Sequence, residues 1–429
     1  MTERSWTPMT PAAALEFADF LSDLIFRSLP RSDQRRWARV YLQGLVITPG
    51  KKTIRNIASE YEGPVEQSLQ QFISKSPWEW SAVRQDLARY VESRIPQRSQ
   101  AWVVRPLVIE KAGSHSVGVA RQFVTQLGRV ANCQQAVGIW LTSPEASFPV
   151  EWSLVLPRPW NTDPGLRRRA RIPEAAGVHT PEQAALNAVR HMIEKWRLPP
   201  RPVVMELQNA NELETVAAFH ALDIPFVFKV SGSLPITTGH ESRGHLAQGR
   251  TRALDLINLC RAQRRPVEWD CPRREQRLVT PLVAQEVMIQ SAPPSPAQPS
   301  AVPQQAGGGE GGPMLLLGAW SGSGEQPDEF WLSNMSQTSP AHVFRLAKLA
   351  ERVERDYDDI LEPIGIRDFE GRSFRGWHHH TTLVSAAHAV IALGARQALA
   401  PVPPPTSAYL YTPDPRPRWV GSEGGQRRA

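Results

Sequence analysis

Between residues 102 and 231, short apolar runs of strand character are interleaved with amphipathic helical stretches, and this order narrows the fold more than any other feature. WVVRPLVIE (102–110), QAVGIWLTS (135–143) and FPVEWSLVLP (148–157) are rich in β-branched and aromatic residues and read as strands. TPEQAALNAVRHMIEKW follows as a helix, with Thr180 as its cap, Pro181 in its first turn and Glu182 close behind. PRPVVMEL, NELETVAAFHALD and PFVFKVS then read as strand, helix and strand. Three strands, helix, strand, helix, strand predicts an α/β layered domain around a mixed sheet.

The flanks differ. Residues 1–100 read as helical: PAAALEFADFLSDLIF has apolar residues at helical spacing, Pro30 stops it, and Ser32 is a candidate cap for the next helix. Lys51, Lys52 and Arg55 precede short helices broken at Gly63-Pro64, which suits a small DNA-binding unit or a plain helical bundle. Beyond residue 232, RAQRRPVEWDCPRREQRLV is basic and polar. Residues 292–312 are Pro, Ser and Gly with nothing to bury, as in a disordered linker. PMLLLGAWSG is a strand, residues 341–365 a long amphipathic helix, and LVSAAHAVIALGARQAL a more apolar one.

A chain of 429 residues, 41% hydrophobic and with 14 Trp, is long enough for one large core or two to three smaller ones. Its net charge of +7 favours a polyanionic partner such as nucleic acid, against the plainer reading of a solvated basic surface. Cys133, Cys260 and Cys271 have no spacing that suggests zinc or a disulfide framework. No signal peptide, no long uncharged apolar window and no nucleotide-binding motif is recognisable, so a cytoplasmic protein without membrane or nucleotide partners is expected.

Three carboxylates sit in comparable settings: Glu110 and Glu206 at strand ends, Glu354 inside the late helix. Ligands of α/β domains gather at the carboxyl ends of strands, and clustered carboxylates repel unless a cation shares them. Oxygen donors suit Mg²⁺ or Mn²⁺, and two such ions can drive phosphodiester chemistry. The alternative is three ordinary surface glutamates. Arg167, Arg168, Arg169 and Arg171 form the densest positive run, suited to phosphates or to solvent. Arg372 and Arg375 can grip phosphate or brace the fold through Glu370 or Asp368. His378, His379 and His380 point in different directions on a helix and cannot all face one ion; helix capping or core contacts are the expectation.

FEGRSFRGWHHHTTL, residues 369–383, closely resembles the end of bacterial insertion-sequence transposases of the DDE type, the group with an EGR…GWHHH signature. HSVGVARQFVTQLGRVANCQ, WLSN and the helical N-terminus resemble further segments of that group. The resemblance implies a ribonuclease H-like core divided into residues 101–235 and 331–400, with a strand-rich insertion at 236–330, a helical DNA-binding region at 1–100 and a disordered tail at 401–429. It implies enzymes that cut transposon ends and join them to a target, two aspartates and a glutamate holding divalent ions. It also implies double-stranded DNA as partner, a homodimer assembled on it, and a nucleoid-associated location. By local match the catalytic and metal-binding positions fall on Glu110, Glu206 and Glu354, and the resemblance puts Arg372 and Arg375 near the active site and DNA; Arg168 and Arg169 of the arginine run and Lys51 and Lys52 before the short helices are the further candidate DNA contacts.

The departures shape the expected activity. Where the family has a motif like VIDDTGFPKKGKHS this chain has VIEKAGSHS, read as a shortened segment without its aspartates. Met205-Glu206 stands for an alanine-aspartate pair, and Leu361 for a lysine seven residues after the glutamate. Glutamate for aspartate moves the carboxylate out by one methylene, and a displacement of about 1 Å costs on the order of 100-fold in rate. The expectation is a catalytically impaired transposase, or a non-catalytic DNA-binding protein derived from one. A metal-dependent nuclease acting on another substrate is a third possibility.

Overall fold

The computed structural model describes residues 9–96, 100–177, 179–207, 212–237, 250–289, 312–322 and 324–397. Expectations for the linker at 292–312 and the tail at 401–429 fall, but for Gly312, outside the described residues. The architecture is a ribonuclease H-like mixed sheet flanked by helices, with an N-terminal helical region and a strand-rich insertion.

The sheet grows from a long antiparallel pair, β1 (Ala101–Glu110) and β3 (Arg129–Thr142). β3 is long enough to carry two partners on its other edge: β2 (Ala120–Val124) along its first part and β4 (Ser147–Val155) along the rest. On the other side of β1, β5 (Val203–Glu206) and β6 (Phe226–Val230) join in parallel, as strands linked by crossover helices do. The same sheet then continues antiparallel through β12 (Glu329–Ser333), β11 (Met314–Ala319), β10 (Gln276–Val287) and β9 (Arg265–Cys271). β7 (Pro235–Thr237) and β8 (Arg250–Arg252) pair separately.

The basic, polar stretch after residue 264 forms a hairpin, in keeping with the strand-rich insertion expected there. In β9, Val267, Trp269 and Cys271 are buried while the residues between them are exposed, the period-2 pattern of a half-covered strand. One expected helix is also interrupted. The helix expected at 341–365 is broken into α11 (Pro340–Ala347) and α12 (Leu349–Asp356), the latter running into a π turn at Tyr357–Leu361. Because the numbering follows the chain, the preceding helices are α1 (Pro11–Ile25), α2 (Ser32–Ile47), α3 (Ile54–Ser59), α4 (Val65–Ser74), α5 (Trp80–Glu92), α6 (Arg158–Thr162), α7 (Pro164–Ala170), α8 (Pro181–Glu194), α9 (Glu212–Ala221) and α10 (Ala253–Leu259). The chain closes with α13 (Phe374–Gln397). Thr180 caps α8 as expected, accepting from the Gln183 backbone while Gln183 Oε1 accepts from Thr180. Ser32 is not a cap: it is the first residue of α2, and Arg31 holds the capping position.

The N-terminal helices share one hydrophobic core with the sheet, from Phe17 through Trp140 to Leu393. The three consecutive histidines of α13 weld them together, each reaching a different element. His378 Nδ1 lies 3.2 Å from Arg84 of α5 and its ring stacks on Trp80. His379 sits between the carbonyls of Ile73 and Trp78, at 2.9 and 3.0 Å. His380 meets the Tyr41 hydroxyl of α2 at 2.9 Å and the Gly365 carbonyl at 3.0 Å. The fully buried Arg84 completes the joint: it pairs with Glu151 of β4 and donates to Thr381 and Thr382 of α13 at 2.9 and 2.8 Å. Among the described residues no helix is long and apolar enough to cross a membrane.

Candidate active site

The site is organised by strand register. β1 and β5 pair Trp102 with Val203 and Val103 with Val204; continued two residues past the paired stretch, the same register would set Arg105 opposite Glu206. β5 and β6 pair Glu206 with Lys229, and β6 and β12 pair Lys229 with Trp331. Residues in register across neighbouring strands present their side chains on one face. That face carries the paired row Glu206, Lys229, Trp331, and the continued register adds Arg105 to it. Lys229 Nζ is 3.4 Å from Glu206 Oε1, at the exposed end of the strand.

α12 packs against β1 and β5 and brings Glu354 to Arg105. The guanidinium engages both carboxylate oxygens, Nε to Oε1 at 2.9 Å and Nη2 to Oε2 at 3.1 Å. This bidentate, charge-assisted geometry is the strong form of the pair. Nη1 donates to the Pro106 carbonyl at 3.1 Å, and the guanidinium carbon lies 3.4 Å from the centre of the Tyr357 ring. The cation is thus held by a carboxylate on one edge and by an aromatic face. Burial pushes the Tyr357 hydroxyl up in pKa, and Arg367 Nε donates to it at 3.0 Å.

Glu110 stands apart from this row. It lies five residues beyond Arg105 on a strand whose pairing with β3 is unbroken, so alternation turns the two side chains to opposite faces, about 17 Å apart along the strand. Its carboxylate is held by Arg129 of the neighbouring strand, at 2.9 and 2.8 Å. Glu110, Glu206 and Glu354 therefore each have an internal cation, and only the last two face the same region. A divalent ion needs several carboxylate oxygens aimed at one point. The donors do not fit that requirement as arranged, and among the described residues no group of three or more His, Cys, Asp or Glu is placed to hold a metal. Leu361, at the position read as a lost lysine, is fully buried.

The basic candidates divide into free and engaged groups. Lys52 is buried: its ammonium donates to the Thr48 carbonyl and its backbone N–H to Asp368 Oδ2 at 2.7 Å. Burial lowers its pKa, opposed by Asp368 and Glu60. That bond ties the start of α3 to the loop before α13, so exposed Lys51 and Arg55 lie on segments adjoining the one that carries Arg372. Arg372 is exposed and Arg375 half-buried, and neither guanidinium pairs with another described residue. In α7, Arg167 is spent on the carbonyls of Pro173 and Ala176, at 2.6 and 3.1 Å, while Arg168 and Arg169 are exposed.

Sequence reasoning passed over Arg105 and Lys229, each an unremarkable cation within a quoted strand. Parity was the available signal: Arg105 and Glu110 are an odd number of residues apart and cannot share a face of one regular strand.

No curated protein matches the chain. A family model described as DDE superfamily endonuclease matches residues 25–280, more than half of the chain, including the strands that carry Arg105, Glu110 and Glu206. Glu354 and the EGR…GWHHH segment lie beyond the matched span. The chain belongs to the DDE superfamily endonucleases.

Proposed function

We propose that this chain binds double-stranded DNA through the transposase scaffold and does not cut it. The observation that carries the reading is the pairing of every matched carboxylate with an internal cation: Glu110 with Arg129, Glu206 with Lys229, Glu354 with Arg105. Mg²⁺ or Mn²⁺ bound by three converging carboxylates would supply water activation and leaving-group stabilisation. Among the described residues these side chains do not form such a set.

The register also supports a different alignment of the first motif. Set on residues 103–116 without a gap, VIDDTGFPKKGKHS still ends on His115-Ser116, with Lys111 and Gly113 in place, and its first aspartate falls on Arg105 rather than Glu110. On this reading the segment is full length and the substitution is a charge reversal.

DNA binding rests on the net charge of +7 and on basic side chains left without internal partners. Lys51, Arg55, Arg372 and Arg375 surround the Lys52–Asp368 joint and form the principal phosphate surface; Arg168 and Arg169 form a second. A pair of chains on one duplex, in the nucleoid, is the assembly the family resemblance implies. Fluorescence anisotropy with a labelled duplex over a salt series tests the reading. Binding should weaken steeply with salt, and Lys51→Gln and Arg372→Gln should each reduce the log–log slope by about 0.9. Affinity that is indifferent to salt and to both substitutions would contradict it.

A further inference from the structure

The Arg105 guanidinium occupies a defined electrostatic position: bidentate on Glu354, stacked on Tyr357, and carried by the strand next to the one that ends in Glu206. Two carboxylates brought toward one face by different elements repel unless a cation sits between or beside them. In this chain the cation is covalent. Its side chain is largely buried, whereas that of Glu354 is 40% exposed. Arg105 is therefore the fixed member of the pair, and Glu354 closes onto it from α12.

We infer that Arg105 is an internal substitute for a divalent cation, and that Glu206 and Glu354 form a latent metal site which this one side chain keeps shut. The inference rests on the non-catalytic reading of the same site and deepens it by naming the residue responsible. Guanidinium satisfies both oxygens of Glu354 with fixed hydrogen bonds and cannot lose its proton in the physiological range, so a divalent ion would have to displace a permanent positive charge. Replacing Arg105 by aspartate removes that charge, frees Glu354 and adds a third carboxylate on the same face.

The test is titration of Mn²⁺ alone into the full chain, followed by the loss of its free-ion paramagnetic resonance signal. The proteins compared are wild type, Glu354→Gln, Arg105→Asp and the double variant Arg105→Asp/Glu354→Gln, each checked for folding by circular dichroism. Wild type and Glu354→Gln should behave alike. Arg105→Asp should gain Mn²⁺ affinity by at least about tenfold, and the double variant should lose the gain. If Arg105→Asp does not fold, Arg105→Asn removes the charge while keeping an oxygen donor, and should show a smaller gain that also depends on Glu354. A folded Arg105 variant with no Glu354-dependent gain overturns the inference and leaves the non-catalytic reading standing. Mn²⁺ uptake by wild type that Glu354→Gln abolishes would overturn both.

Discussion

At the residue scale, two arginine–glutamate pairs have opposite consequences because their burial differs. Arg84 is fully buried with Glu151, Thr381, Thr382 and the His378 carbonyl around it. Arg84→Met leaves the Glu151 carboxylate without its counter-charge in the interior and should destabilise by about 3–5 kcal/mol, read from denaturant midpoints. The Arg105–Glu354 pair is open on the carboxylate side, so solvent screens it. Glu354→Gln should change stability by less than about 1 kcal/mol. A large loss there would mean that the pair holds α12 to the sheet instead of merely neutralising a face. The comparison also explains what the sequence concealed. Arg84 sits in an ordinary amphipathic helix and Arg105 in an apolar strand, and neither position reveals what lies across the fold from it. Both arginines take their meaning from partners 67 and 249 residues away.

At the scale of elements, the order of strands and helices between residues 101 and 230 was legible because local pattern and final burial agree there. β5 and β6 are short apolar runs bounded by turns, and they are buried. β9 and β10 were not legible as strands from their polarity: one face is bare, and arginines and glutamates fill it. The alternation of Val267, Trp269 and Cys271 was the signal, masked by charge. The loop from Gly365 to Phe374 depends on backbone chemistry that its sequence only hints at. Gly365 has φ of +93°, and a Cβ there would lie 2.6 Å from Lys52 Cγ. Gly365→Ala should cost about 1–3 kcal/mol and should loosen the Lys52–Asp368 joint between the N-terminal helices and the loop. Limited proteolysis within 48–53 or 366–372 would report the loosening, and an unchanged digestion pattern would argue against it.

For the whole molecule, the helical N-terminus, the sheet and α13 fold around one core, and their junction contains histidines that stay neutral. Burial pushes His379 down to about 3, against the pull of its two carbonyl partners, and His380 down to about 4; His378 is lowered well below its ordinary value, and His388 to about 3. The unfolded chain binds protons at these positions as the pH falls through the ordinary histidine range near 6.5, while the folded chain does not. Stability should therefore begin to fall as pH drops below about 6.5, above the range near 4 where ordinary carboxylates protonate, and the loss should continue toward the folded values of about 3 to 4. Thermal midpoints that are flat from pH 7.5 to 5 would contradict this. The family fold was readable from motifs scattered along the chain, whereas the arrangement of the candidate site was not, because it depends on register between strands a hundred residues apart in sequence. The central claim is that this scaffold holds DNA without cutting it. The most direct measurement is nicking of a supercoiled duplex carrying the sequences that flank its own coding region, with Mn²⁺ or Mg²⁺ present and protein in excess, for wild type beside Glu354→Gln. The account predicts that the DNA is bound and remains intact with both proteins. Nicking by wild type that Glu354→Gln abolishes would contradict it.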